Sequence, residues 1–113
     1  MVRFDPRRPE QGPAFAFEQA RLKALVADMD KIGAGASPED LVGDVPLLDH
    51  WLVDQRPIPC LTGMATGHPR LGGQGRPIIT SDLWLISEDR RWARTLSRWY
   101  RLGRPAGSAR DTP

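Results

Sequence analysis

The chain has 113 residues, 40% hydrophobic and 27% charged, with four tryptophans, one cysteine, and 11 each of proline and glycine. That length favours one domain with a modest core, the lone Cys60 excludes an intramolecular disulfide and suits a reducing compartment, and no apolar run approaches the ~18–20 residues of a bilayer span. The net charge of +2 is unevenly placed: residues 1–69 carry seven Lys and Arg against ten Asp and Glu, and residues 70–113 carry nine against four, so −3 and +5.

Taken in chain order, residues 1–13 ("MVRFDPRRPEQGP") are charged and proline-rich and are expected to be a disordered lead. They lack the apolar core of a secretory signal, so a cytoplasmic protein with no membrane association is expected. Residues 14–35 carry Leu22, Leu25, Val26, Met29 and Ile32 at steps of three and four, the spacing of an amphipathic helix, with Gly33 and Gly35 as its stop. The stripe is expected to face a core, and Arg21, Lys23, Asp28, Asp30 and Lys31 to face water.

A second, broken helical segment is expected over residues 36–56. Ser37, Pro38, Glu39 and Asp40 match helix-start chemistry. After Gly43 and Pro46, "VPLLDHWLVDQ" is expected to restart a short helix with Leu47, Leu48, Trp51 and Leu52 facing the core. From residue 57 the character changes to short runs bounded by turn residues. Ile78 to Ile86 is rich in β-branched and aromatic residues and reads as a strand. The tail, residues 105–113, is expected to be disordered.

Residues 90–104, "RRWARTLSRWYRLGR", hold six arginines, two tryptophans, a tyrosine and no acid. Helical spacing fits Trp92, Leu96, Trp99 and Tyr100; strand alternation fits less neatly, so the residues themselves leave both open. The order "GHPRL…TSDLW…WARTLSRWYRLG" resembles a family of short bacterial proteins, often plasmid- or prophage-borne, known only as a domain of unknown function. The resemblance runs from about Leu61 to Gly103 and rests on Gly67, His68, Pro69, Thr80, Ser81, Arg94, Thr95, Ser97, Tyr100 and Leu102. Such relatives often carry shorter polar residues where this chain has Leu96 to Trp99. The resemblance thus implies a β-hairpin, 78–87 pairing with 92–102, and a third strand near 60–66 would complete a meander. It implies no activity.

Other motifs carry little chemistry. "RLGGQGRP" lacks the Gly-Lys-Ser/Thr ending and following helix of a phosphate loop and reads as an inter-strand turn. His50, Cys60 and His68 lie ten and eight residues apart, without the paired spacing of a zinc site, so no metal is expected. Ser81, Ser87 and Ser97 have no nucleophile elbow or triad around them. With Thr80 and Thr95, Ser81 and Ser97 read instead as cross-strand hydroxyl pairs. Asp49 and Asp54, or Glu88 and Asp89, read as turn or capping carboxylates rather than an acid–base pair. No catalytic residue and no cofactor are expected, and the chain reads as a non-enzyme.

The remaining candidate surface is Arg90, Arg91, Arg94, Arg98, Trp99 and Arg101. Guanidinium groups neutralise phosphate and release counterions, and exposed aromatics stack on bases, so nucleic acid is one expected partner. An acidic protein is the other. In the competing reading the tryptophans are core and the arginines a solvated face that covers aromatic rings or pairs with the acidic helices. Along one continuous strand, Arg94 and Arg98 fall on one face and Trp99 and Arg101 on the other. The overall expectation is a single α+β domain over 14–104, helical over 14–56 and β over 57–104. Its N-terminal helices are expected to pack on a two- to three-stranded antiparallel sheet.

Overall fold

In the computed structural model, which describes residues 1–67 and 75–107, the element order is β1 (Val2–Phe4), α1 (Pro13–Gly33), α2 (Pro38–Leu41), β2 (Thr62–Ala65), β3 (Arg76–Ile79), β4 (Leu83–Ser87), β5 (Trp92–Thr95) and β6 (Trp99–Arg101). The α+β class holds. The chain divides into two compact units, one formed by Gly12–Arg56, the other by Met1–Gln11 with Pro57–Pro113.

The helical unit begins as its sequence demands. Gly12 caps α1 and Pro13 occupies its first turn, where a missing N–H costs nothing. The end follows from Gly35, whose φ of +95° is a conformation glycine adopts without strain. There the Ala36 N–H reaches back to the Lys31 carbonyl at 3.0 Å and the Gly35 N–H to Ile32 at 3.0 Å, satisfying carbonyls that the last turn leaves open. α2 has Ser37 as its N-cap residue, with Pro38 next and Glu39 and Asp40 in its first turn. The Ser37 hydroxyl donates to the Glu39 carboxylate rather than accepting from a backbone N–H, and it holds the Glu39 pKa below the usual carboxylate range.

Two expectations fail here. α1 contains no buried residue: Leu25, Val26, Met29 and Ile32 are exposed, and only Phe15, Glu18 and Leu22 are half-buried. The restart of a helix within residues 45–55 does not occur, and Leu47, Leu48, Trp51 and Leu52 are exposed instead of facing a core. Pro46 removes a backbone donor, and His50 adopts a left-handed φ of 54°, which ends any helical run before it gains a second turn.

The β unit holds two sheets rather than one meander. β2 and β3 pair antiparallel as a two-stranded sheet, from Thr62 opposite Ile79 to Ala65 opposite Arg76. The other sheet has four strands in the order β1-β4-β5-β6. It is mixed, not purely antiparallel, because β1 runs parallel to β4, with Val2 opposite Leu85 and Phe4 opposite Ser87. The single strand expected over 78–87 is broken at Thr80–Asp82, where the chain passes from one sheet to the other. The Thr80 N–H donates to the Leu61 carbonyl, and the Leu83 N–H to the Pro59 carbonyl, each at 2.8 Å. The Thr80 hydroxyl accepts from the Leu61 N–H at 2.9 Å, so threonine satisfies the backbone at the crossing.

Residues 1–13 are the larger surprise, since β1 lies within a stretch expected to lack order. The strand is fastened at its end: the Glu88 N–H donates to the Phe4 carbonyl at 2.8 Å. Beyond it, the Gln11 amide clips the turn, accepting from the Asp5 N–H and donating to the Asp5 carbonyl, both at 2.9 Å. Polar residues that bury little can still order a chain when they complete backbone pairs. Residues 108–113 of the expected tail lie outside the described residues.

The interior of this unit is small. Among the described residues Leu83 and Ala93 are its buried apolar side chains, with Ser87 and Thr95 buried beside them as polar ones. A shift of register between Leu83 and Leu85 places a bulge at Trp84. The bulge brings Leu83 opposite Thr95 while Leu85 lies opposite Arg94, so the two leucines face opposite sides of the sheet. The Trp84 indole N–H is buried without a hydrogen-bond partner, a cost this bulge carries.

With so few buried side chains, strand pairing carries much of the stability, and β1 covers the outer edge of β4. Removing residues 1–4 should therefore lower stability by about 2–4 kcal/mol, through loss of half-buried Val2 and Phe4 and of the edge hydrogen bonds. A urea melt followed by tryptophan fluorescence measures this, and an unchanged midpoint would show that the lead is dispensable.

Candidate nucleic-acid interface

The arginine-rich stretch forms a hairpin, because the chain reverses within it. Thr95 ends β5, and its N–H donates to the Arg98 carbonyl at 2.9 Å. Its hydroxyl accepts from the backbone N–H groups of Ser97 and Arg98, each at 3.2 Å. A second hydroxyl pair fixes the turn from outside: the Ser81 and Ser97 oxygens lie 2.8 Å apart, and the Ser97 N–H donates to Ser81 at 3.2 Å. Of the hydroxyl pairs expected among Thr80, Ser81, Thr95 and Ser97, Ser81 with Ser97 is present, outside the strands, where it holds a turn; the Thr80 and Thr95 hydroxyls bond backbone groups instead.

The reversal changes which side chains meet. Across the β5–β6 ladder Trp92 lies opposite Arg101, Ala93 opposite Tyr100 and Arg94 opposite Trp99. Residues directly opposite one another share a face. Hence Trp92, Arg94, Trp99 and Arg101 all lie on one face, arranged as two crossed arginine–tryptophan pairs. The expectation that Arg94 and Arg98 share one face and Trp99 and Arg101 the other is overturned. It counted alternation along one strand, whereas residues 96–98 turn the chain back. Arg98 sits in that turn, half-buried, and its backbone serves the Thr95 bonds.

The neighbouring strands extend the same face with Leu85, Val2 and Phe4. The opposite face holds Ile86, Ala93, Thr95 and Tyr100. Ala93 is 0% and Thr95 1% exposed, while Trp92 is 41% and Trp99 51% exposed; Ser87, on the tryptophan side, is buried at 1%. The tryptophans are therefore not the core that the competing reading made them. Phe4 meets Trp99 edge-on, with ring centroids 5.9 Å apart and planes at 78°, and so braces that ring across the sheet.

Arg90 and Arg91 occupy the loop between β4 and β5, which a buried serine organises. The Ser87 hydroxyl donates to Asp89 at 2.6 Å and accepts from the N–H groups of Arg91 at 3.1 Å and Trp92 at 3.0 Å. Arg90 takes a left-handed φ of 57° to close the loop. The Ser87 hydroxyl, then the Arg91 backbone N–H, hold the Asp89 pKa below the usual carboxylate range, and the charges of Arg91 and Arg7 act in the same direction. Within this unit and among the described residues, the ion pair present joins Arg7 to Asp5, and Arg90, Arg91, Arg94, Arg98 and Arg101 join none.

Two residues of this surface escaped the sequence reading: Trp92 and Phe4. Trp92 was discoverable, since "TLS" between two aromatic runs is a turn signal of hydroxyl residues. Phe4 had no local signal, because only the parallel pairing of β1 brings it there. Of the other candidates, Cys60 and His50 are exposed, and His68 and most of the glycine-rich run lie outside the described residues. Among the described residues no three His, Cys, Asp or Glu side chains group closely enough to hold a metal ion. Also among them, no helix is long and apolar enough to cross a membrane.

The turn hydroxyl is the part of this site most open to test. Replacing Thr95 by valine keeps its volume and leaves the half-buried Arg98 N–H without its acceptor, and the Ser97 N–H keeps only Ser81, so stability should fall by about 1–3 kcal/mol, while Thr95→Ser should retain most of it. Chemical denaturation of both variants gives the comparison, and a valine variant as stable as the parent would show that the hydroxyl does not hold the turn.

Searches among curated proteins and among solved structures each returned no significant match. A family model does match, over residues 15–111, and its range takes in α1 from Phe15 onward, both sheets except β1, and the whole arginine–tryptophan hairpin. The chain belongs to this family, described as a family of unknown function, DUF6634.

Proposed function

We propose that the chain is a non-enzymatic accessory or regulatory module of the bacterial cytoplasm that binds nucleic acid through the arginine–tryptophan face of its C-terminal hairpin. The observation that carries this reading is the crossed pairing of Trp92 with Arg101 and of Arg94 with Trp99 on one exposed face. Tryptophan planes offer stacking area to bases, and guanidinium forks offer charge and paired donors to phosphate. Arg90 and Arg91 in the loop at one end of the hairpin, and Arg98 in the turn at the other, lengthen the cationic track. Among the described residues Arg90, Arg91, Arg94, Arg98 and Arg101 join no ion pair, which supports the same reading, since an arginine without an internal ion pair keeps its charge for an external one.

A second reading, a protein-interaction module, has one feature in its favour: among the described strands β6, of three residues, lies at a sheet edge, the kind of position that strand addition uses. Salt separates the two. Phosphate-driven binding weakens steeply as salt rises, whereas strand addition weakens little.

The test is an anisotropy titration of labelled DNA and RNA against the chain at low and moderate salt, beside an Arg94→Ala/Arg101→Ala variant that melts like the parent. Binding should weaken with salt, and the slope of log affinity on log salt should fall by roughly 0.7–0.9 for each arginine removed that contacts phosphate. Failure to bind any nucleic acid at low salt would refute the proposal.

A further inference from the structure

We infer that this face takes its nucleic acid as a single strand, with Trp92 and Trp99 each stacked on a base; the inference rests on the nucleic-acid reading above. Its first support is width. A two-stranded ribbon enters the major groove of a duplex. Here β5 is an internal strand, paired to β4 on one side and β6 on the other, with β1 beyond β4. At a spacing of about 4.8 Å the outer strands of such a sheet stand roughly 14 Å apart before side chains are added. The major groove is only ~12 Å wide. The tryptophans lie on the broad face of this sheet, so a duplex groove does not reach around them.

The second support is spacing. Trp92 and Trp99 are diagonal neighbours on adjacent strands, since each lies opposite the arginine beside the other. Diagonal neighbours stand roughly 7–8 Å apart, about twice the ~3.4 Å rise of a stacked strand. Tryptophans rooted at positions that far apart accept successive bases only after those bases separate from each other. A single strand does so readily, while a duplex must first lose its own stacking and pairing. Each ring also has a guanidinium directly across the ladder, Arg101 for Trp92 and Arg94 for Trp99, placed to meet the phosphate flanking a stacked base. Phe4, edge-on to Trp99, fixes where that ring lies on the face.

The experiment uses the full chain at low salt with four labelled probes: oligothymidylate, oligouridylate, a duplex and an abasic sugar-phosphate strand, each of about 12 nucleotides, within the usual site size for such surfaces. The two single strands should bind at least about tenfold tighter than the duplex or the abasic strand, because only they present free base faces. Trp92→Leu and Trp99→Leu should each weaken single-strand binding roughly 5- to 100-fold and leave abasic binding unchanged. The abasic comparison needs no variant, so it stands even if a leucine variant fails to fold. Salt-dependent binding that is equal for single strand, duplex and abasic strand overturns the stacking inference and leaves the nucleic-acid reading intact. No binding to any probe overturns both.

Discussion

The surface described above depends on one reversal, the turn from Thr95 to Arg98. Were that turn absent, residues 92–102 would run as one strand, alternation would send Arg94 and Trp99 to opposite sides, and no composite face would exist. The turn costs backbone entropy, and a cluster of hydroxyls offsets it. Thr95 supplies one oxygen to two backbone donors, and Ser81 supplies another from across the sheet. Thr95 is almost fully buried, so its hydroxyl works where water does not compete for the same donors.

The same economy recurs at the other end of the hairpin. Ser87, also almost fully buried, accepts from two N–H groups of the Arg91–Trp92 segment and donates to Asp89. Among the described residues, Leu83 and Ala93 are the buried apolar core, so buried polar residues equal them in number. A sheet organised in this way does not need its tryptophans inside. Trp92 and Trp99 are left about half exposed, where their area is available to the proposed partner. That pairing of a small interior with large exposed aromatics is the link between how this unit folds and what it is proposed to bind.

Legibility in the sequence tracked how local each determinant was. α1 and α2 were readable because Pro13, Gly35, Ser37 and Pro38 act within a turn of themselves. The β4–β5 hairpin was readable from composition and from the family resemblance. The stripe of α1 misled, because periodicity says which residues share a face and says nothing of whether another element covers it. The helix expected after Pro46 failed for a local reason that a stricter reading of Pro46 would have weighed. β1 was not legible: three residues in a charged, proline-rich lead become a strand only by pairing with β4, more than eighty positions away. The site was half legible. Its arginines and Trp99 stood out by type, but the shared face did not. That face depends on reading "TLSR" as a turn, and on Ser81 sixteen positions earlier to hold it.

The chain's four tryptophans offer a direct measure of the central claim, because each indole N–H gives its own resonance. Trp92 and Trp99 lie on the proposed binding face, Trp84 is at the bulge with its N–H buried, and Trp51 is exposed in the helical unit. Titrating a short oligothymidylate into isotope-labelled protein should move the indole resonances of Trp92 and Trp99 together, at the same ligand concentration, and leave Trp51 in place. Movement of Trp51 while Trp92 and Trp99 stay still, or of none of the four at low salt, would contradict the account of this face.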